Sequence, residues 1–368
     1  MRSRVERALH DFIAGQAAIL TTIDPDLAAV AAIVGAFLDG GKRLRPAFCY
    51  WGWRGAGAPD CPEIIVAAAS LELLHGAALI HDDLMDGSDT RRGRPAVHHR
   101  FAQQVRDSGH RLTGNRRQAD GAGSLDAGSG AAQGRRAADF GTAAAILVGD
   151  LCLSWCDEMI ETCGLAADAL LRAKPTFQRM RTEVMAGQYL DVLAQVTGGT
   201  DPDRALRAVR YKSAKYTVER PLHVGGLLAG ASPGVLATYT DYGLPIGEAF
   251  QLRDDVLGVF GDPAETGKPA GDDLREGKRT LLVALAHERA DDRQRAVIER
   301  RLGDRSLDEK GVDELREILT QTGALAELEE LIADLTGRAL AALDGSEVDG
   351  AARDALRQLA VAATVREG

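Results

Sequence analysis

Apolar residues recur at three- and four-residue spacing over most of this chain, a period typical of helices with one buried face. The spacing predicts helices over about 62–86, 139–163, 166–195, 201–230, 235–260 and 279–302, with two or three shorter ones up to about residue 366. Another helix begins at Asp24-Pro25 and ends at Gly40-Gly41, which are typical start and stop residues. Strand signals are nearly absent. The pattern therefore predicts one all-α domain over residues 1–368 with a mostly apolar interior.

One segment interrupts this pattern. Residues 107–136 contain seven glycines and almost no large apolar side chain. Such a composition cannot bury enough apolar surface to order itself, so we predict a flexible surface insertion between two helices. A neutral expansion is the favoured interpretation, and a regulatory or partner-binding role is the alternative.

Charge and cysteine usage exclude several classes of protein. The net charge of −10 and the pI of about 5.4 argue against a nucleic-acid partner, so local basic groups must bind any anionic substrate. The five cysteines form no CxxC pair, and Cys152, Cys156 and Cys163 follow helical spacing. We predict buried free thiols in a cytoplasmic protein. No signal peptide is recognisable, and the apolar runs are too short and interrupted to predict a transmembrane segment.

The most informative stretch is the acidic turn at the end of the helix over 62–86. Asp82, Asp83 and Asp86 crowd one turn, and Asp82 and Asp86 share a helix face at i and i+4. Carboxylates without a nearby Cys or His pair suit Mg²⁺, which in turn recruits phosphate oxygens. An isolated DDxxD is more often a solvated turn, but the residues around this one favour a metal site.

Basic residues lie close to the acidic turn in the sequence. Arg91 and Arg92 follow it in a Gly- and Pro-containing loop, and arginine forks match phosphate oxygens. Adjacent arginines point in different directions and can serve two phosphate groups. Lys42 and Arg45 share a helix face after two glycines that let the backbone approach an anion. His75 lies two turns before Asp82 on the same face of the predicted helix.

A second acidic pair, Asp254-Asp255, is followed by a Gly- and Lys-rich loop over residues 266–280. Two carboxylate sites that are each followed by basic residues suggest a diphosphate held between metal-bearing helices.

At this point the sequence resembles the trans-isoprenyl diphosphate synthases. The motifs that carry the resemblance occur in the family's order, from about residue 25 to 366 apart from the insertion: GGKRLRP, ELLHGAALIHDDLMD, DTRRGRP, AGQYLD, YKSAKYT, FQLRDDVLG and TGKPAGDDLREGKRT. The resemblance implies an all-helical bundle around a central cavity, a homodimer, and two or three Mg²⁺ ions per active site. The implied reaction joins isopentenyl diphosphate head to tail with an allylic diphosphate (dimethylallyl, geranyl or farnesyl).

The resemblance also implies a role for each matching residue. The isopentenyl diphosphate would be bound by Lys42, Arg45, His75 and Arg92. The allylic diphosphate would be bound by Arg91, Lys212, Ser213, Gln251, Lys268 and Lys278. The metal ligands would be Asp82, Asp83, Asp86 and Asp254, with Gln188 and Asp191 lining the cavity. The residues expected to carry catalysis are Asp82, Asp86, Arg91, Lys212, Asp254 and Lys268. The family often has a third aspartate where this chain has Gly258, which leaves the strength of the second metal site open.

Helix geometry suggests a product length. A prenyl tail that runs from Asp82 toward the helix N-terminus passes the small Ala78 and Ala77 and then meets Leu74 and Leu71. Leu71 lies roughly 16 Å from Asp82 along the axis, the span of three to four isoprene units. We therefore predict geranylgeranyl diphosphate, with farnesyl or longer products as the alternative.

Two other functions remain open at this level. A class I terpene cyclase also uses DDxxD, and Asp150, Ser154 and Glu158 match the spacing of its second metal motif, although they come too early in the chain. The other rival is a non-catalytic partner subunit, for which Gly258 is a partial indication. A cyclase does not need the isopentenyl-binding set Lys42, Arg45 and His75, and the complete first motif and the basic set argue against a partner subunit.

Overall fold

The computed structural model describes the backbone of residues 1–117, 127–198, 201–262 and 271–364, and the side chains of these ranges except 108–117 and 127–131. The described residues are almost entirely helical, so the predicted all-α fold is confirmed. The helices are α1 (Arg2–Ile23), α2 (Ala28–Leu38), α3 (Leu44–Gly55), α4 (Pro62–Asp86), α5 (Val97–Arg117), α6 (Ala127–Glu161), α7 (Ala167–Thr197), α8 (Pro202–Ala208), α9 (Arg220–Ala229), α10 (Pro233–Phe260), α11 (Asp272–Glu276), α12 (Leu281–Arg289), α13 (Asp292–Arg301), α14 (Glu309–Gln321), α15 (Ala324–Ala342) and α16 (Gly350–Thr364). A 3₁₀ turn (Pro25–Leu27) precedes α2, a π-helical segment (Val209–Glu219) joins α8 to α9, and the strands β1 (Thr90–Arg91) and β2 (Arg94–Pro95) form a short antiparallel hairpin.

The chain divides into two compact units. The first contains residues 1–42 and 69–163, and the second contains residues 43–68 and 164–368. In the first unit α1 packs on α2, and α5 packs on α6. In the second unit α10 packs against the π segment and α15, and α3 packs against α9. Two clusters of buried apolar side chains fill the second unit, one around Leu252 and Leu282 and the other around Phe48 and Tyr239.

Local capping chemistry explains where several helices begin. Asp24 accepts a hydrogen bond from the backbone N–H of Asp26 ahead of the 3₁₀ turn. The side chain of Ser232 caps α10 through the N–H of Val235, and Pro233 occupies the first helical position. These are the start signals that the sequence carries, and the predicted α4 and α10 agree with the structure to within two residues.

The structure departs from the predicted helices in four places. The range 201–230 is interrupted by the π segment, and 279–302 is two helices because Asp291 and Gln294 form a capping box that starts α13. Helices α1, α3, α5 and the short α11 were not predicted. Helices α5 and α6 extend into the segment 107–136, whose residues 118–126 lie outside the described part of the chain.

Two described helices are long and apolar enough to cross a membrane by length and composition alone. The apolar window of α4 is 72% buried, as in the core helix of a soluble protein. The window within residues 132–161 is only 33% buried, so α6 presents much of its apolar surface.

Candidate active site

The acidic turn at the end of α4 is built around one arginine. Asp83 is fully buried and Asp86 is 9% exposed. The Nε and Nη2 atoms of Arg91 each lie 2.6 Å from Oδ1 of Asp83, and Nη2 lies 3.6 Å from Oδ2 of Asp82. Burial by itself lowers the pKa of Arg91. The hydrogen bonds from its guanidinium to Asp83 and the charges of all three carboxylates outweigh this effect, so the pKa of Arg91 is raised overall. The three predicted carboxylates therefore act together on one cation.

The β1–β2 hairpin positions this arginine. Thr90 pairs with Pro95 and Arg91 with Arg94, so the turn consists of Arg92 and Gly93. Both turn residues have positive φ, 54° and 71°, as a tight two-residue hairpin requires. Arg91 donates to Asp83, whereas Arg92 donates to the carbonyl oxygen of Asp39, so the two guanidinium groups have different partners.

Arg92 lies beside the glycine-rich turn that precedes Lys42. Its Nη1 donates a hydrogen bond to the carbonyl oxygen of Asp39 at 3.4 Å. A Cβ on Gly41 would lie 3.0 Å from Nη2 of Arg92, so glycine permits the close approach of this guanidinium. The predicted approach of the backbone to an anion stays a prediction. Gly41 also has a φ of 87°. The structure thus places Arg92 against the turn that leads into Lys42, and both residues were predicted to bind isopentenyl diphosphate.

The four residues of α4 that were predicted to set the product length differ in their surroundings. Ala78 and His75 are partly exposed, in line with Asp82 at four- and seven-residue spacing. Ala77 is 1% exposed, so protein atoms surround it on all sides. Leu71 and Leu74 are also 1% exposed. The partly exposed face of this helix therefore contains Ala78 and does not contain Ala77.

Arg45 lies on α3 in the second unit. Its Nη2 donates a 2.8 Å hydrogen bond to Oγ1 of Thr217, and its guanidinium lies 4.3 Å from the ring centroid of Tyr216. The hydrogen bond and the cation–π contact fix the direction of this side chain against the π segment.

Lys212 is held within the π segment by tight backbone packing. A Cβ on Gly187 of α7 would lie 2.8 Å from Cα of Lys212, and a Cβ on Gly247 of α10 would lie 2.6 Å from Cα of Ala214. Only glycine lets both helices come this close. The Nζ atom of Lys212 donates a 2.6 Å hydrogen bond to Oδ2 of Asp191, and the next residue, Ser213, is buried. Sequence reasoning placed Asp191 in the cavity lining but missed this ion pair.

The second acidic motif lies on α10. Asp254 is exposed and Asp255 is 7% exposed. The amide of Gln251 donates a 2.8 Å hydrogen bond to Oδ1 of Asp255. Burial, with the charges of Asp273 and Asp254, raises the pKa of Asp255 to about 8, although Gln251 opposes this shift.

Lys278 faces two further carboxylates. Its Nζ lies 2.7 Å from Oδ1 of Asp273 and 2.8 Å from Oε2 of Glu276. Burial lowers the pKa of Lys278, but the charges of these partners and its hydrogen bonds to them raise it well above the ordinary value. Neither partner was predicted, although both stand in the GDDLREGK motif. Lys268 lies outside the described residues.

Within the described residues, no group of three or more His, Cys, Asp or Glu side chains is arranged as a metal site. The first acidic turn nevertheless has the oxygen donors of a Mg²⁺ site, because three carboxylates share one helix end and the single charge of Arg91 offsets only part of theirs. The predicted ligands therefore suit the ion.

Comparisons with known proteins agree on one family. The family model described as polyprenyl synthetase matches residues 28–110 and 130–319. A short chain isoprenyl diphosphate synthase of Methanothermobacter thermautotrophicus is 30% identical over 87% of this chain and 85% of its own length. A geranylfarnesyl diphosphate synthase of Aeropyrum pernix is 32% identical over 69% of each chain. The crystal structure of a geranylgeranyl pyrophosphate synthase of Corynebacterium glutamicum, complexed with isoprenyl diphosphate and magnesium, is 38% identical with a TM-score of 0.87, and the match covers 99% of this chain and 98% of that one.

Proposed function

The chain belongs to the polyprenyl synthetase family, and we propose that it joins isopentenyl diphosphate head to tail with an allylic diphosphate to make geranylgeranyl diphosphate. It is a prenyltransferase that elongates trans-prenyl chains. The observation that carries the proposal is the partly buried guanidinium of Arg91, which lies against the carboxylates of Asp82 and Asp83. A cation fixed beside a metal-binding turn is what a departing diphosphate requires.

Arg91, Lys212 and Lys278 each form an ion pair with a carboxylate in a partly buried position. We assign these cations, with Lys268, to the allylic diphosphate. When its C1–O bond breaks, the negative charge that develops on the departing diphosphate is stabilised by these fixed cations. Because the cations are already oriented by ion pairs, little reorganisation accompanies the step.

The carbon–carbon bond forms next. The double bond of isopentenyl diphosphate donates its electron pair to the allylic C1 cation, and a proton then leaves C2 of the isopentenyl unit for the released diphosphate. Lys42, Arg92, Arg45 and His75 are the residues that we assign to hold isopentenyl diphosphate in place. Because both reactants are held in a fixed orientation, the bond-forming step becomes effectively unimolecular.

Mg²⁺ is the metal that we assign to the two acidic motifs, two or three ions per active site. Asp82, Asp83 and Asp86 would hold it on α4, and Asp254 on α10. Bound Mg²⁺ would neutralise diphosphate oxygens as a Lewis acid. Oxygen donors suit this ion, and relatives of this chain were solved with magnesium or calcium.

The twenty-carbon product is proposed from α4. The small Ala78 is partly exposed below Asp82, and the buried Leu74 and Leu71 follow further down the helix. One relative is named for a geranylgeranyl product and another for a geranylfarnesyl product. The geranylfarnesyl product is longer by one isoprene unit and is the longer-chain alternative to the proposed product.

We also propose that residues 1–368 act as one polyprenyl synthase domain, and that two copies form a homodimer through α6. This helix exposes Phe140, Ile146 and Leu147, whose side chains are 47%, 47% and 64% exposed. An apolar stripe of this size is unusual on a monomer. All five cysteines are thiols rather than disulfides, which supports a cytoplasmic location.

The purified chain tests this function against both rivals. It is incubated with Mg²⁺, isopentenyl diphosphate and each allylic primer in turn, and the products are weighed by mass spectrometry. Release of diphosphate from a primer without consumption of isopentenyl diphosphate would indicate a terpene cyclase, and no turnover at all would indicate a partner subunit. The structure does not favour the cyclase, because Asp150, Ser154 and Glu158 are all exposed and Glu158 accepts a hydrogen bond from Gln16 of α1.

A further inference from the structure

Gly258 stands on α10 one turn after Asp254, on the same helix face. A side chain at this position would extend that acidic face, but there is no room for one. A Cβ on Gly258 would lie 2.6 Å from Cγ of Asp273 and closer still to its Oδ2. The space beside Gly258 is therefore filled by a carboxylate from another part of the chain.

The short helix α11 delivers this carboxylate. Gly271 and Gly277 flank the helix with φ of 71° and 77°, a backbone conformation that few other residues adopt. The N–H of Lys278 donates a 3.0 Å hydrogen bond to the carbonyl oxygen of Asp273 and closes the turn. Asp273 is 8% exposed, and packing fixes its direction. Its position against Gly258 is a result of tertiary structure.

The carboxylate of Asp273 also joins the charges of the second acidic motif. Its Oδ1 accepts a 2.7 Å hydrogen bond from the ammonium of Lys278, and its Oδ2 lies against Gly258. Gly258 lies one turn after Asp254, so this second oxygen stands beside the acidic face of α10. Lys278 offsets only part of this negative charge, so the remainder is available to a divalent cation.

We propose that Asp273 supplies, from α11, the third carboxylate of the second acidic motif in place of a side chain at position 258. This inference rests on the proposed function, since it assigns one more residue to its second cation site. Asp273 has two tasks there: it adds negative charge for the cation, and it positions the ammonium of Lys278.

A carboxylate exchange between the two positions tests the proposal. Asp273→Ala removes the carboxylate and opens space, and Gly258→Asp/Asp273→Ala returns a carboxylate from α10. Gly258→Ala/Asp273→Ala fills the same space without charge and is the matched control. Asp272→Ala removes the neighbouring charge of α11, and Gly258→Asp alone places two carboxylates in one space.

The main readout is Mn²⁺ binding, followed by electron paramagnetic resonance in the presence of inorganic diphosphate. All proteins carry Asp82→Ala for this measurement, because this substitution weakens Mn²⁺ binding at the first acidic turn and leaves the second acidic motif as the main site. Asp273→Ala should weaken Mn²⁺ binding by about 10- to 100-fold, the usual loss when a group that supports a metal ligand is removed. Gly258→Asp/Asp273→Ala should restore most of the affinity, and Gly258→Ala/Asp273→Ala should not. Asp272→Ala should bind as the parent does, and Gly258→Asp alone should lower the Tm.

Unchanged Mn²⁺ affinity in Asp273→Ala, or equal rescue by both double variants, would overturn the proposal. If Asp273→Ala does not fold, Asp273→Asn keeps the volume and removes the charge, and the same loss of affinity is expected. The binding measurement needs no turnover. A wild-type chain that fails to consume isopentenyl diphosphate would therefore refute the proposed function without deciding the role of Asp273.

Discussion

Replacing Ala78 with phenylalanine should stop elongation one isoprene unit early. Ala78 is partly exposed and lies four residues before Asp82, roughly 6 Å along the helix axis. An aromatic ring at this depth would occupy space that we assign to the growing tail. The expected product of Ala78→Phe is farnesyl diphosphate.

The size of the effect follows from the carbon atoms that lose their place. One isoprene unit has five carbons, and each buried carbon contributes about 0.8 kcal/mol. Excluding the last unit would remove up to about 4 kcal/mol, which slows the final condensation by up to roughly a thousandfold. Mass spectrometry of the products at matched conversion gives the ratio of fifteen- to twenty-carbon chains.

Ala77→Phe is the matched control. Ala77 is 1% exposed, so the same ring should overpack the core at a cost of about 1–3 kcal/mol and lower the Tm. The folded fraction should keep the wild-type product. A normal twenty-carbon product from a stable Ala78→Phe protein would refute the assigned tail path. A shortened product from Ala77→Phe would place the path on the other side of the helix.

Three further outcomes are expected. Asp82→Ala should abolish turnover while the circular dichroism spectrum stays helical, since the variant removes a metal ligand; near-normal rates would remove the basis of the site assignment. Lys212→Met should lower kcat/KM for the allylic substrate by at least about 100-fold. Its Tm should change little, because the partly exposed pair with Asp191 stabilises the fold by at most about 1 kcal/mol; a large fall in Tm with normal kinetics would contradict this. Burial lowers the pKa of His223, and its ring lies within hydrogen-bonding distance of Arg220 on one side and the carbonyl oxygen of Leu236 on the other. The unfolded chain takes up this proton first, so stability should fall as the pH drops below about 6.5. Chemical denaturation at several pH values should show a smaller fall in His223→Gln, and identical pH profiles would count against this.

The sequence predicted those features that depend on neighbouring residues. Helix α4 was predicted with its observed limits because Pro62 favours a helix start and Gly87 ends it with a φ of 64°. The acidic turn and the two arginines were found for the same reason, since all lie within ten residues. The break before α13 could have been predicted from Asp291 and the glutamine three residues later, which form the capping box.

Other features depend on residues that are distant in sequence. Asp273 and Gly258 stand fifteen positions apart, and only their packing shows that one occupies the space of the other. The difference between Ala77 and Ala78 is likewise invisible in composition, because both are small apolar residues on one predicted helix. Its origin is the packing around α4, which covers one alanine completely and leaves the other partly open.

The π segment makes chain length, as well as residue identity, a constraint on this part of the protein. The N–H of Arg220 donates to the carbonyl oxygen of Lys215 five residues earlier, so the segment holds more residues per turn than an α-helix. Deleting one residue there would rotate everything that follows by about 100° relative to what precedes it. The side chain of Lys212 and the packed face of α9 would then no longer keep their present relative orientation about the helix axis. We expect residues 209–219 to tolerate neither insertions nor deletions, in addition to the limits that burial sets on their side chains.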